Sequence, residues 1–214
     1  MWNRAENQID LYLIRHGMTD ANEEHRYLGR TEESLSDKGI RQLKKLEESG
    51  KLPEPKLVLT SPMKRCTESA AMLFPSVPVL EIPEWKEMDF GEFEGKNYEE
   101  LNGNPRYQDW IDSGGTIAFP GGESRKVFIS RTLRGMENVM EYLSDGMDQN
   151  LCPECGICGH ACVAAVVHGG TIMALLSHYV GGDYFDYQLE NAGGYHCRLW
   201  FAQGNLKMEI VEKL

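Results

Sequence analysis

Residues 9–17 read Ile-Asp-Leu-Tyr-Leu-Ile-Arg-His-Gly, a largely apolar run that stops at an arginine, a histidine and a glycine. A short apolar run that ends at turn-forming residues is typical of a buried β-strand. A second run of this kind, Cys162–Val167, is followed directly by His168, Gly169 and Gly170. The two runs predict two buried strands of one sheet, each of which ends at a histidine.

Helical patterns separate the predicted strands along most of the chain. The apolar residues of Asp37–Ser49 recur at helical spacing after Ser36, a favoured N-cap residue. Ser61 and Pro62 are predicted to supply the N-cap and first-turn proline of a helix that reaches Phe74. This alternation predicts an α/β domain whose largely parallel sheet is covered by helices on both faces. The other predicted elements are strands at Lys56–Thr60, Val79–Ile82, Tyr195–Phe201 and Leu206–Val211, and helices at Glu123–Leu143 and from His168 to Tyr179.

The segment from Trp85 to Pro120 has no regular period and is rich in glycine, asparagine, aspartate and aromatic residues. A long connection of this kind often carries function. No repeat or linker divides the sequence. We therefore expect residues 1–214 to form one domain, with a cysteine-bearing insertion near residues 148–160.

The charge and hydropathy of the chain exclude several classes of partner. There are 22 lysines and arginines against 33 aspartates and glutamates, a formal net charge of −11 at pH 7. An acidic surface repels the phosphate backbone, so we expect no nucleic-acid partner. No apolar run approaches the roughly 20 residues of a membrane helix, and the N-terminal residues lack the features of a secretory signal. These features predict a cytoplasmic protein that does not associate with membranes.

Arginines and histidines follow the predicted strands at the edge of the sheet where ligands bind. In open α/β sheets, ligands bind beyond the carboxyl ends of the strands. Arg15 and His16 follow the first strand, Arg65 lies in the helix after the second, and His168 and Gly169 follow the late strand. Arginine forks and glycine-rich helix N-termini both bind phosphate oxygens, so the inferred ligand is a phosphoryl group.

His16 can itself attack phosphorus, because a neutral imidazole is a nucleophile that forms a phosphohistidine. The developing charge would then be neutralised by Arg15, Arg65 and a protonated His168. The sequence contains no GxxxxGK(S/T) loop, and no GxGxxG motif follows the first strand. Nothing therefore supports a nucleoside-triphosphate or dinucleotide site.

Four motifs occur in order along nearly the whole chain. They are LIRHGMTDAN at 13–22, with YLGRT at 27–31 and LSDKG at 35–39; SPMKRCT at 61–67; EMDFGEFEG at 87–95; and VHGG at 167–170. This set resembles the motifs of the histidine phosphatases, the phosphoglycerate mutase-like superfamily. The resemblance implies a three-layer α/β/α sandwich with a largely parallel central sheet, which agrees with the pattern above.

The resemblance also implies a role for individual residues. His16 matches the phosphorylated nucleophile, and Arg15, Arg65 and His168 match the phosphate pocket. Glu87 matches the general acid that protonates the leaving oxygen and then activates water. Further substrate contacts are implied at Asn22, Gly29 and Gly169. The arginines and histidines supply the positive charge that metals supply elsewhere, so we expect no cofactor and no catalytic metal.

The acidic segment 81–100 favours a phosphatase over a mutase. It carries eight carboxylates and two lysines, which would repel the second phosphate of a doubly phosphorylated intermediate. Phe90 also stands where mutases have a tyrosine. The sequences of residues 87–92 and Phe119–Ser124 resemble those of the α-ribazole phosphatase branch. The sequence therefore predicts a phosphomonoester hydrolase for a small-molecule phosphate such as α-ribazole phosphate, with a cofactor-dependent phosphoglycerate mutase and a non-catalytic phosphate-binding module as alternatives.

Four of the six cysteines lie close together, outside the predicted phosphoryl site. Their spacing is typical of zinc or iron–sulfur ligands, and unligated thiols are the alternative; the sequence leaves both open. Cys66 and Cys197 stand alone and are predicted to be buried. The residues of the clustered group are Cys152, Cys155, Cys158, His160 and Cys162.

Overall fold

The computed structural model describes residues 8–146 and 160–214. Its centre is a six-stranded sheet with the strand order β3-β2-β4-β1-β5-β6. The strands are β1 (Gln8–Arg15), β2 (Leu57–Thr60), β3 (Val79–Glu81), β4 (His160–Val167), β5 (Gly194–Ala202) and β6 (Asn205–Lys213). All six predicted strands are present, and β5 and β6 form the predicted hairpin.

The four strands β3, β2, β4 and β1 are parallel, and β5 and β6 add an antiparallel edge. β4 lies between β2 and β1, and its register aligns Arg15 with Val167 and Thr60 with Val166. Parallel strands covered on both faces are expected to be buried throughout, and all four residues of β2 are buried. The register leaves the residues that follow β1, β2 and β4 at one level of the sheet edge.

Helices cover both faces of the sheet, so the predicted three-layer α/β/α sandwich is confirmed. On one face, Leu43 and Cys66 pack with Val166 of β4. On the other, Met136 and Leu175 pack with the sheet. The helices are α1 (Asp20–Glu23), α2 (Asp37–Glu48), α3 (Lys64–Leu73), α4 (Tyr98–Leu101), α5 (Pro105–Asp112), α6 (Arg125–Gly146) and α7 (Gly169–Tyr179). None of the helices within 8–146 and 160–214 has the length and hydropathy that a membrane span requires.

Two helix starts test the capping predictions. At α2 the prediction is confirmed, because the Ser36 hydroxyl accepts a hydrogen bond from the Gly39 N–H at 3.2 Å. At α3 the prediction is wrong: the helix begins at Lys64, and Met63 occupies the N-cap position without a side-chain cap. The Ser61 hydroxyl instead accepts a hydrogen bond from the Met63 N–H and lies 2.8 Å from His168 Nε2.

The segment between β3 and α6 is more regular than the sequence indicates. It contains α4, α5 and two 3₁₀ helices, Pro83–Trp85 and Gly91–Phe93. Helix α5 begins at Pro105, and the Asn104 side chain caps it, so a proline and an asparagine that look like loop residues start a helix. Trp85, Phe93 and Phe119 are buried and pack the segment onto the rest of the fold. They are therefore core residues.

Cys66 and Cys197 are buried, as predicted, and burial raises the pKa of each thiol to about 12. Cys162 lies in β4 and is partly buried. Cys152, Cys155 and Cys158, and most of the predicted insertion at 148–160, lie outside the described residues. Metal binding by this cysteine group therefore stays a hypothesis.

Candidate active site

The register of β1 against β4 brings the two predicted histidines together. The His16 N–H donates to the Val167 carbonyl oxygen at 2.9 Å, so His16 and His168 leave adjacent strands at the same level. The centroids of their rings are 5.1 Å apart, and the ring planes meet at 69°. Both side chains are buried. His16 and His168, which are separated by most of the chain, thus lie side by side in one site.

The hydrogen bond of His16 defines its tautomer. Nδ1 lies 2.7 Å from the Gly17 carbonyl oxygen. A carbonyl oxygen only accepts, so Nδ1 carries the proton and Nε2 keeps its lone pair. Burial, with Arg65 and Arg15 nearby, holds the pKa of His16 well below its usual value of 6.5. At neutral pH the ring is therefore a neutral imidazole with a nucleophilic Nε2.

Arg65 and Arg15 hold guanidinium groups beside this histidine. Arg65 is completely buried, and its terminal nitrogens donate to the carbonyl oxygens of Thr31, at 3.1 Å, and Gly29, at 2.9 Å. Arg15 Nη1 donates to the Leu189 carbonyl oxygen at 2.6 Å. The Nε–H groups of both arginines are buried and have no acceptor among the described residues. Buried donors are ordinarily paired, so two unpaired guanidinium donors indicate a site for an anion.

His168 is neutral, which corrects the expectation of a protonated ring. Burial, followed by the influence of Arg65, lowers its pKa well below 6.5. Its Nε2 lies 2.8 Å from the Ser61 hydroxyl oxygen, which also accepts a hydrogen bond from the Met63 N–H. A Ser61 hydroxyl that donates to Nε2 leaves the proton of His168 on Nδ1, 4.0 Å from Glu87 Oε2. A neutral His168 can therefore still donate a hydrogen bond on the side of Glu87.

Glu87, the predicted general acid, lies beside His168 in the same site. Its Oε1 accepts a hydrogen bond from the Met88 N–H at 2.8 Å, and burial raises its pKa above the usual value of 4.5. A raised pKa lets a carboxylic acid keep its proton, as a general acid requires. The carboxyl group approaches the start of α7 closely, because a Cβ on Gly170 would lie 2.6 Å from Glu87 Oε1. Only a glycine at position 170 leaves room for this approach.

The other residues predicted to contact substrate lie around the same site. The Gly29 N–H donates to Glu94 Oε2 at 3.1 Å, and the Gly29 carbonyl oxygen accepts a hydrogen bond from Arg65 at 2.9 Å. Asn22 Oδ1 accepts hydrogen bonds from the Thr19 N–H and from Asn191 Nδ2. A Cβ on Gly169 would lie 3.4 Å from Arg15 Nε, so Gly169 packs against the arginine.

Sequence reasoning missed three polar residues that support the site. Asn191 Nδ2 donates to the His16 carbonyl oxygen at 3.2 Å and ties this strand end to Asn22. The Ser69 hydroxyl donates to the Arg65 carbonyl oxygen and accepts the Gly17 N–H. The third is Ser61, for which the sequence predicts only a helix cap. Ser61 directly follows β2, as Arg15 and His16 mark the end of β1 and His168 follows β4, and this position is the signal that could have found it.

The chain is similar to known proteins over most of its length. The family model described as histidine phosphatase superfamily (branch 1) matches residues 11–207. The chain belongs to this superfamily. Among relatives, the uncharacterized phosphatase PhoE of Bacillus subtilis (strain 168) is 30% identical over 173 residues, which cover 80% of this chain and 77% of the relative. The adenosylcobalamin/alpha-ribazole phosphatase of Escherichia coli (strain K12) is 30% identical over 136 residues, or 62% of this chain and 67% of that protein.

A solved structure shows the same fold for this histidine phosphatase. The putative alpha-ribazole-5'-P phosphatase of Escherichia coli K-12 superposes with a TM-score of 0.76, over 95% of this chain and 96% of that one, at 23% identity. The predicted phosphoglycerate mutase-like fold is confirmed by this match, and the predicted phosphatase class by the family model and the relatives named as phosphatases.

Proposed function

We propose that this histidine phosphatase hydrolyses small-molecule phosphomonoesters through a phosphohistidine formed on His16. The observation that carries the proposal is the unprotonated Nε2 of His16 beside the unpaired, buried Nε–H groups of Arg15 and Arg65. This arrangement offers a nucleophile for phosphorus and donors for the phosphoryl oxygens in one place. Glu87 supplies the acid that the leaving oxygen needs.

In the first step, His16 Nε2 attacks phosphorus and the ester P–O bond breaks. Glu87 gives its proton to the departing oxygen, so the leaving group departs as an alcohol. Arg15, Arg65 and the Nδ1–H of His168 stabilise the charge on the phosphoryl oxygens. The raised pKa of Glu87 favours the protonated form with which this step begins.

In the second step, water attacks the phosphohistidine and the N–P bond breaks. The Glu87 carboxylate takes a proton from this water, which regenerates the acid. His16 leaves as the neutral imidazole with its proton on Nδ1, held by the Gly17 carbonyl oxygen. The products are the alcohol and inorganic phosphate, and the free enzyme is restored.

Within this proposal, the substrate is a monoester such as α-ribazole phosphate, and the enzyme is not a mutase. The Escherichia coli relative named for α-ribazole supports that leaving group, because it matches 62% of this chain at 30% identity. The acidic segment 81–100 disfavours a second phosphate on the substrate. We further propose that the enzyme is cytoplasmic and has no membrane partner. Its net charge of −11 disfavours a nucleic-acid partner.

A panel of phosphomonoesters tests the proposed activity. We expect the purified protein to release phosphate from p-nitrophenyl phosphate, and α-ribazole phosphate to give the highest kcat/KM among the metabolites tested. Measurement of inorganic phosphate distinguishes the alternatives. Isomerisation of phosphoglycerate without phosphate release would identify a mutase, and no turnover of any ester would identify a binding module.

Removal of divalent metals is expected to leave the activity intact. The positive charge in the proposed mechanism comes from Arg15 and Arg65, so no step depends on a metal ion. Initial rates with p-nitrophenyl phosphate should be the same before and after prolonged treatment with EDTA. A loss of rate that magnesium restores would contradict this expectation, and thermal unfolding with and without EDTA controls for an effect on the fold.

A further inference from the structure

Arg131, in α6, directs three of its guanidinium N–H groups to the backbone of the segment that carries Glu87 and the other two to the Glu123 carboxylate. Nη1 donates to the carbonyl oxygens of Glu84, at 2.7 Å, and Lys86, at 2.6 Å. Nη2 donates to the Glu87 carbonyl oxygen at 2.9 Å and to Glu123 Oε1. Nε donates to Glu123 Oε2 at 3.0 Å. Five donors in a rigid fork thus gather three backbone carbonyls and one carboxylate, which a lysine could not do.

Glu123 holds the chain on the other side of Glu87. Its Oε1 accepts a hydrogen bond from the Asp89 N–H at 2.9 Å, and its own N–H donates to the Asp89 carbonyl oxygen at 3.0 Å. A Cβ on Gly122 would lie 2.3 Å from that carbonyl oxygen, so the glycine permits the approach. Glu123 and Arg131 are only 11% and 12% exposed. The pair is therefore largely buried and fixes the backbone on both sides of Glu87.

We propose that the Arg131–Glu123 pair is a positioning device that places the Glu87 carboxyl group for proton transfer. Neither residue touches the reacting atoms in the proposed mechanism; both act on the backbone that carries the acid. The inference rests on the proposed function, in which Glu87 is the acid. A misplacement of about 1 Å can cost a reaction about 100-fold. Loss of the pair should therefore reduce proton transfer without removing Glu87.

Arg30 makes a second contact to the Glu87 backbone, which is weaker than the contact from Arg131. Arg30 Nε donates to the Glu87 carbonyl oxygen at 3.0 Å, and Arg30 Nη2 lies 3.7 Å from Glu123 Oε1. The Arg30 side chain is 38% exposed, so solvent competes for its bonds. Arg131 and Glu123 are therefore the residues to change.

The first test compares leaving groups in Arg131→Lys and Glu123→Gln. For an alkyl phosphate, whose leaving oxygen needs a proton, we expect phosphoenzyme formation to slow roughly 10- to 100-fold. For p-nitrophenyl phosphate, whose phenolate departs without one, we expect little change in the single-turnover rate. Arg134→Lys is the matched control, because Arg134 is exposed on the same helix; it should behave as the wild type. Thermal unfolding of each variant measures any loss of stability.

The second test repeats both substitutions in a Glu87→Gln background. A positioning role predicts no further loss on the alkyl phosphate, because the proton that the pair positions is already absent. Equal losses on both substrates, or an undiminished loss in the Glu87→Gln background, would overturn the inference. Glu123→Gln keeps the side-chain shape and provides the test if Arg131→Lys does not fold. A wild-type protein that hydrolyses no phosphomonoester would instead overturn the proposed function.

Discussion

Replacement of His16 by alanine is expected to reduce phosphatase turnover by about 10⁴-fold or more, the scale on which loss of a nucleophile acts. His16 Nε2 has a free lone pair beside two unpaired arginine donors, whereas the Nε2 of His168 is engaged with Ser61. His168 therefore cannot replace His16 without breaking that bond. Steady-state hydrolysis of p-nitrophenyl phosphate measures the loss.

The same substitution should remove a covalent phosphoenzyme. Wild-type protein quenched during turnover of a ³²P-labelled monoester should retain label that is lost in acid and kept in base, as expected for a phosphohistidine. His178→Ala is the control, because His178 is exposed on α7, and it should keep both the label and the rate. Ordinary turnover or retained label in His16→Ala would show that another residue is the nucleophile.

Replacement of Glu87 by glutamine is expected to separate substrates by their leaving groups. Glutamine keeps the shape of the side chain but has no proton to give, so alkyl phosphates should slow by about 10²- to 10⁴-fold. Phosphoenzyme formation from p-nitrophenyl phosphate should change much less. Hydrolysis of the phosphoenzyme should slow, because the same carboxylate takes the proton from water. Fast formation and slow hydrolysis of the phosphoenzyme should give a burst of nitrophenolate followed by a slow steady state.

The pH dependence gives a second measure of Glu87. Burial raises the pKa of Glu87, so the proton is present below that raised pKa and is lost as the pH rises through it. For alkyl phosphates, kcat/KM of the wild type should therefore fall on the alkaline side, and this limb should be absent from Glu87→Gln. Because the substrate has its own ionisation, the profile of Glu87→Gln on the same ester serves as the reference.

A control in the same segment tests whether the effect belongs to Glu87 alone. Glu92 is about half exposed and pairs with the exposed Arg106, so Glu92→Gln should retain the wild-type rates and pH profile. If Glu87→Gln instead slowed both kinds of substrate equally in a single turnover, Glu87 would only hold the loop in place. The proton donor would then have to be sought elsewhere, with His168 the next candidate.

The fold was predictable because its signals are local. The apolar runs that end at His16 and His168 are short enough and bounded sharply enough to indicate buried strands, and both are central strands of the sheet. Helix α2 carries its own cap and periodicity. The sequence does not predict helix α5, because the residues at its start, Asn104 and Pro105, are equally typical of a turn. Such a choice between turn and helix depends on whether neighbouring aromatic residues provide a surface to pack on.

The sequence by itself determined which residues follow the strands and therefore which ones meet at the edge of the sheet. Only the tertiary structure decided their ionisation and their partners. Arg65 would be a solvated residue on an isolated helix, yet it is completely buried. His168 is neutral rather than protonated because burial, and after it the nearby positive charge of Arg65, lowers its pKa well below 6.5. Asn191 reaches His16 across 175 residues of chain. Desolvation and long-range hydrogen bonds depend on what the folded chain packs around a group, and no local pattern of residues encodes that environment.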